Sequence, residues 1–275
     1  MSPVCSISKI FCKITVCLIS IFVIVNAQEI EKDIQEELRI LSAYHGLDPV
    51  PALATRLCGM AAVADQDGMP VVFSVQIDGA TLSPDAFAVE TSAGEIVAPV
   101  CATLRPALEP LEQRTVLLIG PFSPEGSVPI SVEIVTGLED VDGQSLRGLR
   151  IDLITPLSAG PSIVLAERYA PDAEGLREEC PGETAQAVQL TWQGGVTGPQ
   201  GADLAEAQRG AVSVLLEDGV SVNPLLLGDD DPDNIVIACI AQSSPAISVS
   251  VSAGFFYDPG DDANPETEIS VSSKW

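Results

Sequence analysis

The chain has 275 residues, with 39 Asp and Glu against 13 Lys and Arg, a net charge of −26 at pH 7. Binding nucleic acid or anionic lipid needs clustered Lys and Arg. No such cluster exists here, so both partner classes are excluded.

Residues 1–27 read as a secretory signal peptide. Lys9 and Lys13 form a positive start, residues 14–25 are almost wholly apolar, and Ala27 offers a small residue for cleavage before Gln28. The apolar run is too short to span a bilayer as a helix. Cleavage would leave 248 residues, with 11 basic side chains against 39 acidic ones, a net charge of −28. No later stretch approaches membrane-spanning length. The expected destination is secreted or extracytoplasmic: periplasm, cell surface or medium.

The next segment, 28–50, is predicted to be a helix followed by a linker. Ile30, Ile34, Leu38 and Leu41 recur at three- and four-residue spacing, which puts them on one helical face. Glu29, Glu31 and Asp33 stand where the helix dipole favours negative charge. Gly46, Pro49 and Pro51 stop it.

Beyond residue 51 the texture changes to short runs rich in Val, Ile, Thr and Ser, punctuated by Gly, Pro, Asp and Asn. Strands are predicted at 71–77, 86–91, 115–119, 130–135, 151–155, 162–166, 187–192, 211–216, 235–240 and 246–252. Many short strands with frequent turns specify a mainly β chain of antiparallel sandwiches. Two tandem β-sandwich domains are expected, at 51–155 and 156–275. A glycine-rich stretch, 194–201, reads as a loop.

Cys5, Cys12 and Cys17 leave with the signal. Cys58, Cys101, Cys180 and Cys239 remain, an even number in an oxidising compartment. Four cysteines allow three pairings, and spacing alone does not choose among them. Two segments look like one unit used twice: 73–84, with Asp78-Gly79 and Pro84, and 213–224, with Asp218-Gly219 and Pro224. Each has a cysteine upstream and another downstream. A tandem repeat predicts Cys58–Cys101 and Cys180–Cys239.

Within the first domain, Asp85-Ala86-Phe87-Ala88-Val89 is followed by a turn at Ala93-Gly94. Residues 136–146 then run through Gly137, Leu138, Asp140, Asp142 and Gly143 to Leu146. In this pattern residues 71–149 resemble bacterial immunoglobulin-like surface domains. The resemblance implies tandem immunoglobulin-like sandwiches with a structural or adhesive role and no catalytic residues to carry over.

Catalytic chemistry finds little support. The single histidine, His45, falls in the expected connector, where no rigid scaffold would hold it as a base. One imidazole cannot build a histidine-rich zinc site, and four dispersed cysteines in an exported chain read as disulfides. No phosphate-binding glycine motif occurs between strand and helix. Trp192, Phe256 and Tyr257 are candidate ligand-binding aromatics, with Tyr169 and Phe255 the other candidates in the second half. Two oxygen-rich loops are candidate calcium sites: Asp229, Asp231, Asp233 and Asn234, then Asp258, Asp261, Asp262 and Asn264. Calcium takes six to eight oxygens from such turning backbone, and it is the one cofactor the sequence suggests.

The sequence therefore predicts an exported, non-catalytic binding or assembly protein whose partner is a protein or glycan at the cell surface. A secreted carbohydrate-binding or carbohydrate-active protein is the alternative, and a structural subunit of a surface assembly is another.

Overall fold

The computed structural model describes residues 38–50, 56, 58, 59, 65–156, 158–176, 179–228 and 233–274. Arg39–Trp275 is one compact unit. It is mainly β, with four sheets that pair into two sandwich-like sets.

The first set uses nine strands: β1 Ile40–Tyr44, β2 Asp67–Phe73, β3 Phe87–Thr91, β4 Ile96–Val97, β5 Cys101–Thr103, β6 Thr115–Gly120, β7 Pro129–Ile134, β8 Arg150–Ile151 and β9 Ile154–Thr155. One sheet has the order β5-β6-β2-β1-β9 and the other β4-β3-β7-β8. The second set runs through β10 Ile163–Tyr169, β11 Gln186–Trp192, β12 Val212–Leu216, β13 Ser221–Val222, β14 Leu226–Gly228, β15 Ile235–Ile240, β16 Ala246–Val251, β17 Thr267–Ser270 and β18 Ser272–Ser273. Its sheets have the orders β14-β15-β11-β10-β18 and β13-β12-β16-β17. Adding nine to each strand number of the first set reproduces the second. The last strand of each set also pairs parallel to its first, β1 with β9 and β10 with β18.

Strand character follows from the side-chain pattern. In β16 Val249 and Val251 are fully buried while Ser248 and Ser250 are half-buried, the period of two that a one-sided strand requires; the alternation breaks at the start of the strand, where a register shift against β12 leaves Ala246 buried and Ile247 exposed. β15 is apolar throughout and buried at every residue, because its sheet is covered on both faces. One face meets Val212, Val214, Leu216, Val249 and Val251 in the sandwich core. The other gathers Ile235, Ile237 and Cys239 with Ala187, Tyr169 and Leu176, and Ala107 and Leu111 from before β6 pack on it.

Both disulfides expected on the repeat are present, Cys58–Cys101 and Cys180–Cys239. They close loops with sequence separations of 43 and 59. Chain entropy alone makes each worth about 4 kcal/mol. The segments used to argue for them are not structurally equivalent, however. Asp78-Gly79 lies between β2 and β3, whereas Asp218-Gly219 turns between β12 and β13.

The predicted N-terminal helix needs a correction. Its C-terminal residues form β1, paired antiparallel with β2 and parallel with β9. Two sheet partners, one more than a hundred residues downstream, outweigh the local helical spacing. Residues 28–37 of that prediction lie outside the described residues. One short helix is seen among the described residues, α1 Glu206–Ala211.

Candidate functional site

The second acidic loop forms between β16 and β17, and the oxygens of Asp258 and Asn264 are engaged within it. Asp258 is buried, and its Oδ1 accepts backbone N–H bonds from Gly260 and Asp262, each at 2.9 Å. Its Oδ2 accepts the Tyr44 hydroxyl, whose oxygen also lies 2.5 Å from the Ala159 carbonyl. Burial first, then the Asp258 and Asp262 charges, push the Tyr44 phenol above its ordinary range. Asn264 Oδ1 accepts from the N–H groups of Phe255 and Phe256, and its amide donates to the Ser252 and Pro265 carbonyls. Asp261 Oδ1 accepts from Gln200 N–H at 2.8 Å.

The same device closes the first sandwich between β7 and β8. Asp140 is buried, and its Oδ1 accepts from the N–H groups two and four residues on, those of Asp142 and Gln144. The surface-domain pattern and the proposed calcium loop are thus one turn at one place in the two strand orders.

Of the first acidic loop, Asp229 and Asp231 lie outside the described residues. Asp233 and Asn234 are buried. Asp233 Oδ1 accepts from Ile235 N–H at 2.7 Å, and Asn234 Nδ2 donates to the Trp192 carbonyl and to Thr115 Oγ1. The two loops flank one stretch of chain, since Val196 N–H reaches Asp233 O and Thr197 N–H reaches Tyr257 O.

Two of the three candidate aromatics face the core. Trp192 and Phe256 are fully buried, with ring centroids 4.7 Å apart. Tyr257 is half-buried, and its hydroxyl donates to the Gly254 carbonyl. No aromatic platform forms from this trio.

At the junction of the two sandwich sets, Arg114 Nη2 meets Glu167 Oε2 at 2.7 Å with both side chains buried. Tyr169 donates its hydroxyl to the same oxygen at 2.8 Å, and Lys274 Nζ reaches Oε1 at 3.2 Å. Burial, followed by the charge of Glu167, raises the Tyr169 phenol above its usual range.

A different group was not anticipated by sequence reasoning. His45, Asp48 and Asp67 converge, with one potential ligand atom from each lying within 4.8 Å of the others. His45 is buried rather than placed in a loose connector: its N–H bonds to Thr155 O at 3.0 Å. Its Nε2 is buried without a hydrogen-bond partner. Burial lowers the imidazole pKa, against the opposing pull of Asp67 and Asp48. The His45-x-x-Asp48 spacing was visible, but Asp67 joins only through the pairing of residues 45–50 along the start of β2.

No protein-family model matches the chain, and no curated protein matches it.

Proposed function

We propose that the chain is an exported, non-catalytic binding or assembly protein that acts on a protein or glycan partner at the cell surface or in the extracytoplasmic space. The observation that carries this reading is the buried polar junction. Arg114, Glu167, Tyr169 and Lys274 join two disulfide-bonded sandwich sets into one compact unit. Such a junction fixes the relative placement of two sets of exposed edges and loops, as a binding or assembly protein needs. The disulfides fit an oxidising compartment. Among the described residues no helix is long and apolar enough to cross a membrane. The immunoglobulin-like reading of the sandwiches belongs to the same proposal. Trp192 and Phe256 are buried, so the aromatics offered for a carbohydrate-active site form no surface platform, and a glycan partner would be met by other exposed residues.

The test is expression of the full chain in a bacterial host, followed by fractionation. The expected product begins at Gln28, is extracytoplasmic and has no alkylatable thiol. Photo-crosslinking residues placed at Leu153 and Ile96, both strongly exposed, should give a discrete adduct on intact cells. A cytoplasmic product with free thiols would overturn the export reading. Absence of an adduct at both positions, from a chain that stays monomeric, would overturn the binding or assembly reading.

A further inference from the structure

We propose that His45, Asp48 and Asp67 bind one divalent first-row transition-metal ion, with zinc as the reference case. The backbone builds the site. His45 directly follows β1 and is anchored to Thr155. Leu47 and Gly68 exchange N–H···O bonds at 3.2 and 2.8 Å, and Val50 N–H reaches Gln66 O at 2.8 Å. Residues 45–50 therefore run antiparallel along the start of β2, bringing Asp67 beside His45 and Asp48. Asp67 is itself oriented, since its Oδ2 accepts from both Ser123 N–H and Ser123 Oγ at 2.7 Å.

Geometry and chemistry point to the same occupant. Ions of this class bond imidazole nitrogen and carboxylate oxygen at about 2.0–2.2 Å. Around one tetrahedral ion such ligand atoms stand about 3.4 Å apart, so the group, which falls within 4.8 Å, closes on one ion through small side-chain rotations. His45 is 4% exposed, and its Nε2 has no partner in the protein. A buried polar atom left in that state is costly, and a metal bond is one way to satisfy the ring. Two carboxylates balance the charge of a divalent ion, which compensates Asp67 at 5% exposure. A nitrogen ligand favours zinc, cobalt or nickel over calcium and magnesium, which take oxygen. Three protein ligands leave coordination positions on the side of the exposed Asp48, where water can enter. The ion would tie residues 45–50 to β2, next to the cluster of Val50, Cys101 and Ile119 into which Leu47 and Cys58 pack.

His45 is the chain's only histidine, so its ring nitrogens give a single NMR spin system. The test uses tag-free, oxidised, chelator-stripped protein. Zinc should shift the His45 ring-nitrogen resonances and saturate at a single equivalent, while calcium and magnesium leave them in place. Asp48→Asn, at an exposed position, should keep the fold by circular dichroism and weaken zinc binding by at least about tenfold. His45→Gln should abolish the one-to-one isotherm. If that buried substitution does not fold, Asp48→Asn decides alone. His45 resonances unmoved by excess zinc would overturn the proposal. So would Asp48→Asn binding zinc as tightly as the parent, which would make the uptake adventitious binding by an acidic surface.

Discussion

Replacing Arg114 by Met tests whether the junction holds the sandwich sets together. The Arg114 and Glu167 side chains are 3% and 2% exposed, and their charged atoms lie 2.7 Å apart. Arg114 also donates from Nη1 to the Ser74 carbonyl at 3.1 Å. Removing it leaves the Glu167 carboxylate buried with Tyr169 and the more exposed Lys274 as its remaining charged or hydroxyl partners. Stranding one member of a buried pair costs about 3–5 kcal/mol. For a unit of this size, each kcal/mol moves the midpoint by about 2–4 °C, so Tm should fall by about 6–20 °C. The double variant Arg114→Met with Glu167→Met strands no charge. It should regain most of that loss, less about 1–3 kcal/mol for the Tyr169 hydroxyl left without its acceptor. Calorimetry and urea unfolding of the parent, both single variants and the double variant close the cycle. A single-variant loss under about 1 kcal/mol, or a double variant that simply adds the two losses, would refute the reasoning; the lower bound is the ordinary worth of an exposed pair.

The alkaline limb of stability should be steep. Tyr44 and Tyr169 both have raised phenol pKa values when folded, so their contribution is intact below the unfolded value near 10 and is lost as pH rises above it. The slope should approach about 1.4 kcal/mol per pH unit for each phenol. The chain has four lysines, Lys9, Lys13, Lys32 and Lys274, so few other groups titrate there. Tyrosinate absorbance should show these two phenols ionising only as the protein unfolds, and smooth ionisation of both near pH 10 in the folded state would contradict this. Gly160→Ala should cost about 3 kcal/mol, the upper end of overpacking, because an added Cβ would lie 1.8 Å from the Ala263 carbonyl oxygen. Gly210→Ala in α1 meets no neighbour within 4 Å and should stabilise by up to about 1 kcal/mol. Equal denaturation midpoints for the two variants would defeat the packing argument.

Much of the architecture was legible because strands advertise themselves locally. The alternation in β16 and the unbroken apolar run of β15 each announce how many faces are covered. The run Phe255-Phe256-Tyr257 is too dense to be buried whole, and Phe256 alone of the three is fully buried. The failures have a common physical origin in pairing between distant segments. Ile40, Leu41 and Tyr44 look helical in isolation, and only β2 and β9 make them a strand. His45 looked like part of a loose connector for the same reason. Its burial depends on Thr155, which the local sequence does not reveal. The disulfide pairing was reached through segments that do not coincide, and the strand register shows why it nevertheless holds. Cys101 pairs across to Ile119, and Cys239 across to Leu226. Ile119 and Cys239 both stand one residue before the end of corresponding strands, β6 and β15. Each set therefore ties its upstream cysteine to the same rung, once on the edge strand and once on its neighbour.

Acidic density and free ligand oxygens are different properties, as the two closing turns show. A carboxylate within a turn competes for its own backbone. Asp140 and Asp258 each accept two N–H groups through Oδ1, and Asp258 also takes the Tyr44 hydroxyl through Oδ2. Bringing Oδ1 of Asp258 onto a metal would compete with bonds that shape the loop, and bringing Oδ2 would compete with a buried phenol. A charged hydrogen bond contributes about 1.5–3 kcal/mol, so an ion there must first offset several kcal/mol of existing order. Asp67 satisfies its loop through Oδ2 alone, and the imidazole beside it has a buried nitrogen with no partner. An ion at His45 supplies a missing interaction, whereas one at Asp258 exchanges interactions already made. The sparsest of the three groups in carboxylates is therefore the one best prepared to hold a metal.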